Sequence, residues 1–294
     1  MFWTAALLCF LLQAEVRTAQ PPARRDAIVV TGTYEPVKLA EIDRAVNSID
    51  TTGLYLLSGH ILEILSLDPS LDVRERAAGG VQADLSIRGS TFGQNLILLN
   101  GLRLNDPQTG HHNLDLPLPL ASVSRIEVLK GAGSTLYGSD ATGGAVNLIT
   151  EAPQAAEARV SAAFGSFGAN QQRAVLAAAG NRWSGRLAAS RDFSSGFRPN
   201  RDYRNLSLAS EAYGKTRAGS SSLLLGHTDR PFGAENFYGN YPSWERTRTW
   251  FASFRQELGS RTQAAFAFRR HTDLFYLYRY RPEVYTNRHK TSGY

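Results

Sequence analysis

Cysteine is almost missing from this sequence. Cys9 is the only one among 294 residues, and it lies in an N-terminal apolar stretch. An intrachain disulfide and a cysteine-based metal centre are therefore excluded. Long apolar runs are missing too. No internal segment reaches the roughly 18 apolar residues that a membrane-crossing helix needs, which excludes a helical membrane protein. A membrane β-barrel stays open, because alternating strands leave only a weak hydropathy signal. A concentrated basic patch is also absent. Lysine and arginine outnumber aspartate and glutamate by 32 to 26, for a net charge of +6. Yet Arg182, Arg186, Arg255 and Arg269 are scattered at alternate positions, which argues against nucleic acid as a partner and suits the polar inner face of a barrel. No GxxxxGK(S/T) loop occurs, since Lys130 precedes its glycines instead of ending them. No Ser-His-Asp or paired-carboxylate arrangement stands out, so no catalytic residues and no enzyme are expected.

What the chain does have is alternation punctuated by glycine-rich turns. Residues 125–150, RIEVLKGAGSTLYGSDATGGAVNLIT, open as a short strand with Ile126 and Val128 on one face and Arg125 and Glu127 on the other. Gly131, Gly133, Gly138, Gly143 and Gly144 then break up a turn-rich run before a second apolar strand over residues 145–149. Glycine at that density permits positive φ and close backbone approach, so this loop is expected to fit tightly against a neighbour. Upstream, Ser58 is expected to cap a helix through Leu67. Its Ile61, Leu62, Ile64 and Leu65 form a 3.6-period stripe that ends at Asp68-Pro69. Residues 85–89 read as a strand, and residues 96–99 as a strand apolar on both faces and hence buried on both. Asn100-Gly101 is the strongest short hairpin signal, with Leu102-Arg103-Leu104 returning. Residues 105–116, NDPQTGHHNLDL, form a polar loop at the far end of that hairpin.

The ordered set RIEVLKG…S.LYGS.A.GG.VN.IT follows Ile87-Arg88-Gly89, Leu98-Leu99-Asn100-Gly101 and Arg103-Leu104-Asn105-Asp106. Together these resemble the plug domain of TonB-dependent outer-membrane receptors, most closely the vitamin B12 receptor branch, over roughly residues 26–152. The resemblance implies an α+β plug domain, residues 36–152, followed by an antiparallel transmembrane β-barrel of about 22 strands in the family. It implies active uptake of a scarce nutrient (metal chelate, siderophore or cobalamin) through the outer membrane, with energy supplied by TonB of the inner membrane and no cofactor. Asp26, Ala27, Ile28, Val29, Val30 and Thr31 resemble the TonB box, expected on the periplasmic side. Their β-branched, extended character suits capture by edge addition to a partner's sheet. Residues 75–82 and 105–116 correspond to the plug's apical loops. They make Gln82, Asn105, Asp106, Gln108, Thr109, His111, His112 and Asn113 the ligand-facing candidates. Arg88, Arg125 and Glu127 are candidates for a charged network holding plug to barrel. No metal ligands are assigned. His111 and His112 on extended backbone would point to opposite faces, and only a loop could gather them with Asp106 or Asp115.

Residues 1–19 resemble a secretory signal peptide with an apolar core at 2–12, although no Lys or Arg precedes that core and Arg17 is unusual just before a cleavage after Ala19. Residues 20–35 are then the linker with the TonB box. From residue 153 the rhythm becomes strict alternation. Trp183, Leu187 and Phe193 share one face while Arg182, Arg186 and Asp192 share the other. Trp250, Ala252, Phe254 and Leu258 oppose Thr249, Ser253, Arg255 and Glu257. Segments of about ten residues, separated by turns such as Gly180-Asn181 and Gly259-Ser260, carry the signature of a transmembrane barrel. About seven strands are expected over residues 157–276 and an eighth from near Asn287. Residues 153–294 are thus read as the first part of a barrel that the sequence leaves incomplete. Residues 231–244 are expected to form a long external loop, and residues 274–281, LFYLYRYR, an aromatic girdle. The expected protein is a monomer in the outer-membrane bilayer. The alternative is a non-transporting periplasmic binding or signalling module whose alternating half is a soluble sandwich, and solubility without detergent separates the two.

Overall fold

The computed structural model describes residues 28–29, 31, 37–259 and 262–294. The expected signal peptide, most of the linker, and Asp26, Ala27 and Val30 of the TonB-box candidate lie outside the described residues.

A short pair, β1 (Ile28–Val29) and β2 (Val37–Lys38), precedes the first folded unit. That unit contains β3 (Val46–Asp50), α1 (Ile61–Leu65), β4 (Leu71–Glu75), β5 (Ala83–Ile87), β6 (Asn95–Leu99) and β7 (Leu102–Arg103). It continues with β8 (Arg125–Lys130), α2 (Ser134–Tyr137) and β9 (Gly144–Ile149). Five strands form a mixed sheet in the order β3-β8-β9-β6-β7, with β6 parallel to β9. The doubly apolar run at residues 96–99 sits inside this sheet with every side chain buried, as its lack of a polar face requires. Asn100 and Gly101 take φ of +51° and +79°, the left-handed pair that turns β6 into β7. In β9 the one polar residue, Asn147, is fully buried. Its amide donates to Thr31 Oγ1 at 3.0 Å and its carbonyl accepts from Gly101 N at 3.0 Å, so neither group is left unsatisfied. Gly144 has φ +152°, and a Cβ there would lie 2.3 Å from the Leu129 carbonyl oxygen, so only glycine lets β9 start this close to β8.

Ile64, Leu65, Ile87, Ile97, Leu99, Ile126, Val146 and Leu148 make one continuous core. The helix is shorter than the sequence suggests. Ser58 does not cap it; instead Glu63 Oε2 accepts from Gly59 N at 2.6 Å, and His60 is extended with φ −154°. The carboxylate satisfies a backbone donor just before the helix, and the chain stays extended there.

The second unit is one eight-stranded antiparallel sheet in sequence order. Its strands are β10 (Glu157–Phe164), β11 (Asn170–Ala179), β12 (Trp183–Ser194), β13 (Tyr203–Thr216), β14 (Gly219–Glu235), β15 (Pro242–Leu258), β16 (Thr262–Tyr276) and β17 (Thr286–Gly293). Seven strands end at Tyr276 and the eighth starts at Thr286, matching the alternation. The sheet curves past the plug as an open wall. At one end β12 and β14 are entered through tight turns at 180–182 and 217–218; at the other, longer loops span 195–202, 236–241 and 277–285. The loop expected over 231–244 is shorter. Pro231, Phe232 and Gly233 belong to β14, because its pairing with β15 continues through Pro231↔Arg246 to Glu235↔Pro242.

The wall is apolar on the outside and polar within. Val160, Leu176, Trp183, Leu187, Trp250 and Phe266 are all more than half exposed. Facing inward, Ser207, Thr228 and Thr249 are buried against the plug side. The few inward apolar residues, Ala209, Leu224 and Phe251, join the plug's core. Gly226 allows the closest approach, since a Cβ there would meet the Pro117 carbonyl oxygen at 2.2 Å.

Candidate ligand site at the seam of plug and wall

Bonds that cross from wall to plug come mainly from wall arginines, and they reach plug backbone carbonyls. Arg173 donates to the carbonyls of Tyr55 at 2.6 Å and Gly59 at 2.8 Å. Arg201 donates to Arg76 O at 2.7 Å, Arg186 to Ser122 O at 3.3 Å, and Arg255 to Asn100 O. A guanidinium with five donors can satisfy loop carbonyls that no strand pairs. The expected trio Arg88, Arg125 and Glu127 does something else. Arg88 is exposed at φ +50° and makes no bond to the wall among the described residues. Arg125 Nε donates to Glu127 Oε1 at 2.9 Å and pairs with Glu151, while the buried Glu127 accepts from Thr31 Oγ1 at 2.6 Å through Oε2. Arg125 and Glu127 therefore fasten Thr31, the last residue of the TonB-box candidate, to the plug sheet. Arginines 186, 255 and 269 were recognised in the sequence as barrel-lining residues. Their plug partners are loop carbonyls and a loop carboxylate, which carry no pattern of their own.

At the long-loop end the apical loops meet the wall around a cavity of about 390 Å³. Gln82, Gln108, Thr109, His111 and His112 line it from the plug. Tyr238, Phe275 and Tyr285 line it from the wall, and Tyr238 and Phe275 meet edge to face at 5.3 Å between centroids. Phe275, expected in an outer girdle, thus turns inward. Gln82 Nε2 donates to Tyr238 Oη at 3.0 Å, and that hydroxyl donates to Glu245 Oε2 at 2.9 Å. His111 Nδ1 sits 2.6 Å from Asp84 Oδ1 and its ring stacks on Phe92 at 4.3 Å.

Three ligand-facing candidates point elsewhere. Asn105 braces β6, accepting from Ile97 N at 2.7 Å and donating to Asn95 O at 3.1 Å. Asn113 accepts from Asp106 N at 2.9 Å, closing the loop on itself. Asp106 is buried and takes Arg269 Nη1 at 2.6 Å and Thr291 Oγ1 at 3.0 Å. A polar loop pressed against a wall must satisfy its own backbone first, and these three side chains do so.

Beneath the cavity lies a buried charged layer that sequence reasoning missed. His271 bridges two plug carboxylates, with Nδ1 3.2 Å from Asp106 and Nε2 3.0 Å from Asp115. Arg230 reaches Asp115 at 3.4 Å. Burial alone would favour neutral acids, but Arg269 holds the Asp106 carboxyl below the usual range, and His112, His271 and Arg230 hold Asp115 well below it. His112 is 4% exposed and packs on the His271 ring at 4.6 Å. Burial opposes its charged form, yet Asp115, Glu245 and Asp273 around it raise its pKa to about 9. Its Nδ1 approaches Asp115 Oδ2 to 3.3 Å but outside hydrogen-bond geometry, and its Nε2 faces Asp273 Oδ2 at 3.9 Å. A loop has thus turned His111 and His112 apart, and the wall supplies His112 with partners over a hundred residues away.

Residues 39–145 match the family model described as the TonB-dependent Receptor Plug Domain. The first unit is a TonB-dependent receptor plug. Over 159 residues, 53% of this chain, the sequence is 30% identical to the vitamin B12 transporter BtuB of Vibrio vulnificus (strain CMCP6). Over 165 residues it is 31% identical to the protein of the same name from Vibrio cholerae serotype O1 (strain M66-2). The chain spans about a quarter of the length of these curated relatives. Over its first half the chain is thus similar to TonB-dependent receptors, the vitamin B12 transporters among them. Among solved structures, the ferric-catecholate import receptor Fiu of E. coli K12 superposes with a TM-score of 0.65 at 14% identity, covering 89% of this chain and 43% of that one. The ferric yersiniabactin uptake receptor FyuA of Yersinia pestis gives 0.62 at 12% identity, covering 79% and 41%. At such identities the likeness is one of fold, and it extends beyond the plug to the wall.

Proposed function

We propose that this chain serves TonB-dependent uptake of a nutrient chelate, a siderophore complex or a cobalamin, through the outer membrane. The observation that carries the reading is the wall: apolar outward, polar inward, with a plug seated on its polar face. A soluble sandwich buries its apolar face between sheets, whereas a membrane barrel turns it to lipid. The periplasmic-module alternative has no account of that exposed belt. The relatives' printed roles support uptake of cobalamin, and the structural neighbours support iron chelates.

In this reading residues 1–19 direct export, residues 20–35 present the TonB box, residues 36–152 plug the lumen, and residues 153–294 form wall. The protein acts as a monomer in the outer-membrane bilayer, with TonB and the chelate as its partners. Ligand meets Gln82, Gln108, Thr109 and His111 with Tyr238, Phe275 and Tyr285, whose rings offer flat apolar surface and whose amides and hydroxyls offer hydrogen bonds. TonB captures the strand at residues 26–31. Force on it reaches the plug sheet through Thr31, which is bonded to both β8 and β9 by Glu127 and Asn147. Deleting the gene in its host and following labelled cyanocobalamin and ferric siderophores, with and without functional TonB, tests the reading. Loss of uptake of one chelate on deletion, reproduced by loss of TonB, is expected. Unchanged uptake of every chelate refutes it.

A further inference from the structure

The layer beneath the cavity carries more buried negative charge than its arginines answer. Asp106 pairs with Arg269, and Asp115 with Arg230 and His271. Glu245 and Asp273, 1% and 7% exposed, pair with no arginine or lysine among the described residues. Glu245 Oε1 and Asp273 Oδ1 are buried without a hydrogen-bond partner, and so is His112 Nδ1. A protonated His112 answers only part of that charge, and two buried carboxylates with unbonded oxygens beside one imidazole stay unfavourable unless a further cation joins them. One donor atom each from His112, Glu245 and Asp273 already lies within 4.8 Å of the other two.

We propose that His112, Glu245 and Asp273 ligate a divalent transition-metal ion of the zinc type at the floor of the cavity. Bonds of about 2.0–2.2 Å in a tetrahedron set the donor atoms ~3.3 Å apart, so the three side chains need only close inward by rotation. His112 ligates through Nε2, the nitrogen facing Asp273. Asp115 stands behind Nδ1 at 3.3 Å, the position from which a carboxylate orients a metal-bound imidazole. An imidazole with two carboxylates suits zinc, whereas calcium and magnesium favour all-oxygen shells. The fourth position opens into the cavity, where water or a donor atom of an incoming molecule completes the shell. Because plug and wall both supply ligands, the ion also ties the apical loop to β15 and β16. The site stands whether or not the chain transports a chelate, since it rests on binding alone.

The test uses the full chain purified in detergent and stripped of metal, titrated with zinc chloride by calorimetry and with cobalt(II) by visible absorption. One equivalent of zinc and a tetrahedral cobalt band are expected. Glu245→Gln and Asp273→Asn should each weaken zinc by at least about tenfold, as should Asp115→Asn behind the histidine. His227→Ala, whose ring stacks on Trp250 at 3.8 Å far from the layer, should bind as the parent does. Near-ultraviolet circular dichroism verifies each variant's packing. A parent chain that takes up no zinc overturns the proposal without any variant. Zinc affinity unchanged in well-packed Glu245→Gln and Asp273→Asn overturns it as well.

Discussion

Plug and wall are built from the same alternating chemistry with opposite orientation. In the plug, β6, β8 and β9 turn apolar residues toward one another, and the polar exceptions Glu127 and Asn147 are bonded at both ends. In the wall, large apolar residues such as Trp183, Leu208 and Trp250 point outward, and most polar ones point inward. The plug is therefore stabilised by burial in the usual sense, and the wall becomes stable only where its outer face meets a non-aqueous medium. At the seam between them charges of both units are buried together, and there the wall's arginines reach the plug's carbonyls.

The comparison breaks most sharply if equivalent-looking leucines behave alike. Leu148 of β9 is fully buried in the plug core, so Leu148→Ala should cost ~2–5 kcal/mol of plug stability. Limited proteolysis and urea unfolding of the detergent-solubilised chain would register the loss in any medium. Leu225 of β14 is 46% exposed on the outer face, and Leu225→Arg should cost about 2–4 kcal/mol in a bilayer. The same variant should leave the plug's urea midpoint nearly untouched. Equal damage to the plug from both changes would show that the wall's outer face is not lipid-facing.

How much of this was legible in the chain follows from the range of each signal. Asn100-Gly101 announced its hairpin because two adjacent residues suffice to specify a turn with positive φ. The wall strands were legible because alternation repeats locally. Residues 96–99 were legible as a doubly buried strand because that run has no polar face. The helix start was misplaced because the nearby backbone donor is satisfied by Glu63, a residue that also reads as part of the helix. Asn105, Asp106 and Asn113 looked like ligand contacts because a polar loop and a self-bracing polar loop have the same composition. The layer of His112, Glu245 and Asp273 carried a local signal only at His112, and nothing local joined it to the other two. Its members come from one plug loop and two wall strands, and only the seating of plug on wall brings them together.

A smaller effect separates the two regions by pH. Asp68 lies in the plug, where burial would raise its pKa. Hydrogen bonds from Asn47 at 2.9 Å and Ser70, with Lys130 at 3.2 Å, outweigh burial and lower it to about 2. A folded-state pKa below the unfolded value contributes stability that is complete above about pH 4 and lost as pH falls through 2. The shift corresponds to about 2 kcal/mol. Asp68→Asn should cost roughly that at neutral pH, and the variant's urea midpoint should vary less than the parent's between pH 4 and 2. Parallel acid limbs for parent and variant would assign the acid sensitivity to other carboxylates.

The smallest effect concerns how the plug is tied to the segment before it. Thr31 Oγ1 both donates to Glu127 and accepts from Asn147, so one hydroxyl links the end of the TonB-box candidate to β8 and β9. Thr31→Val keeps the shape and removes both bonds, leaving Asn147 with one buried donor unpaired and Glu127 held by Arg125. Such a loss costs about 1–2 kcal/mol. It should appear as faster amide exchange and easier proteolysis around residues 28–31, while β14 and β15 exchange as before. If the wall loosened in step with the plug, the two units would be one cooperative body, and tension applied at residues 26–31 would have no weaker element to open first. If only the plug responds, the Thr31 hydroxyl is the joint through which pulling on the N-terminal strand reaches the small sheet and leaves the larger one standing.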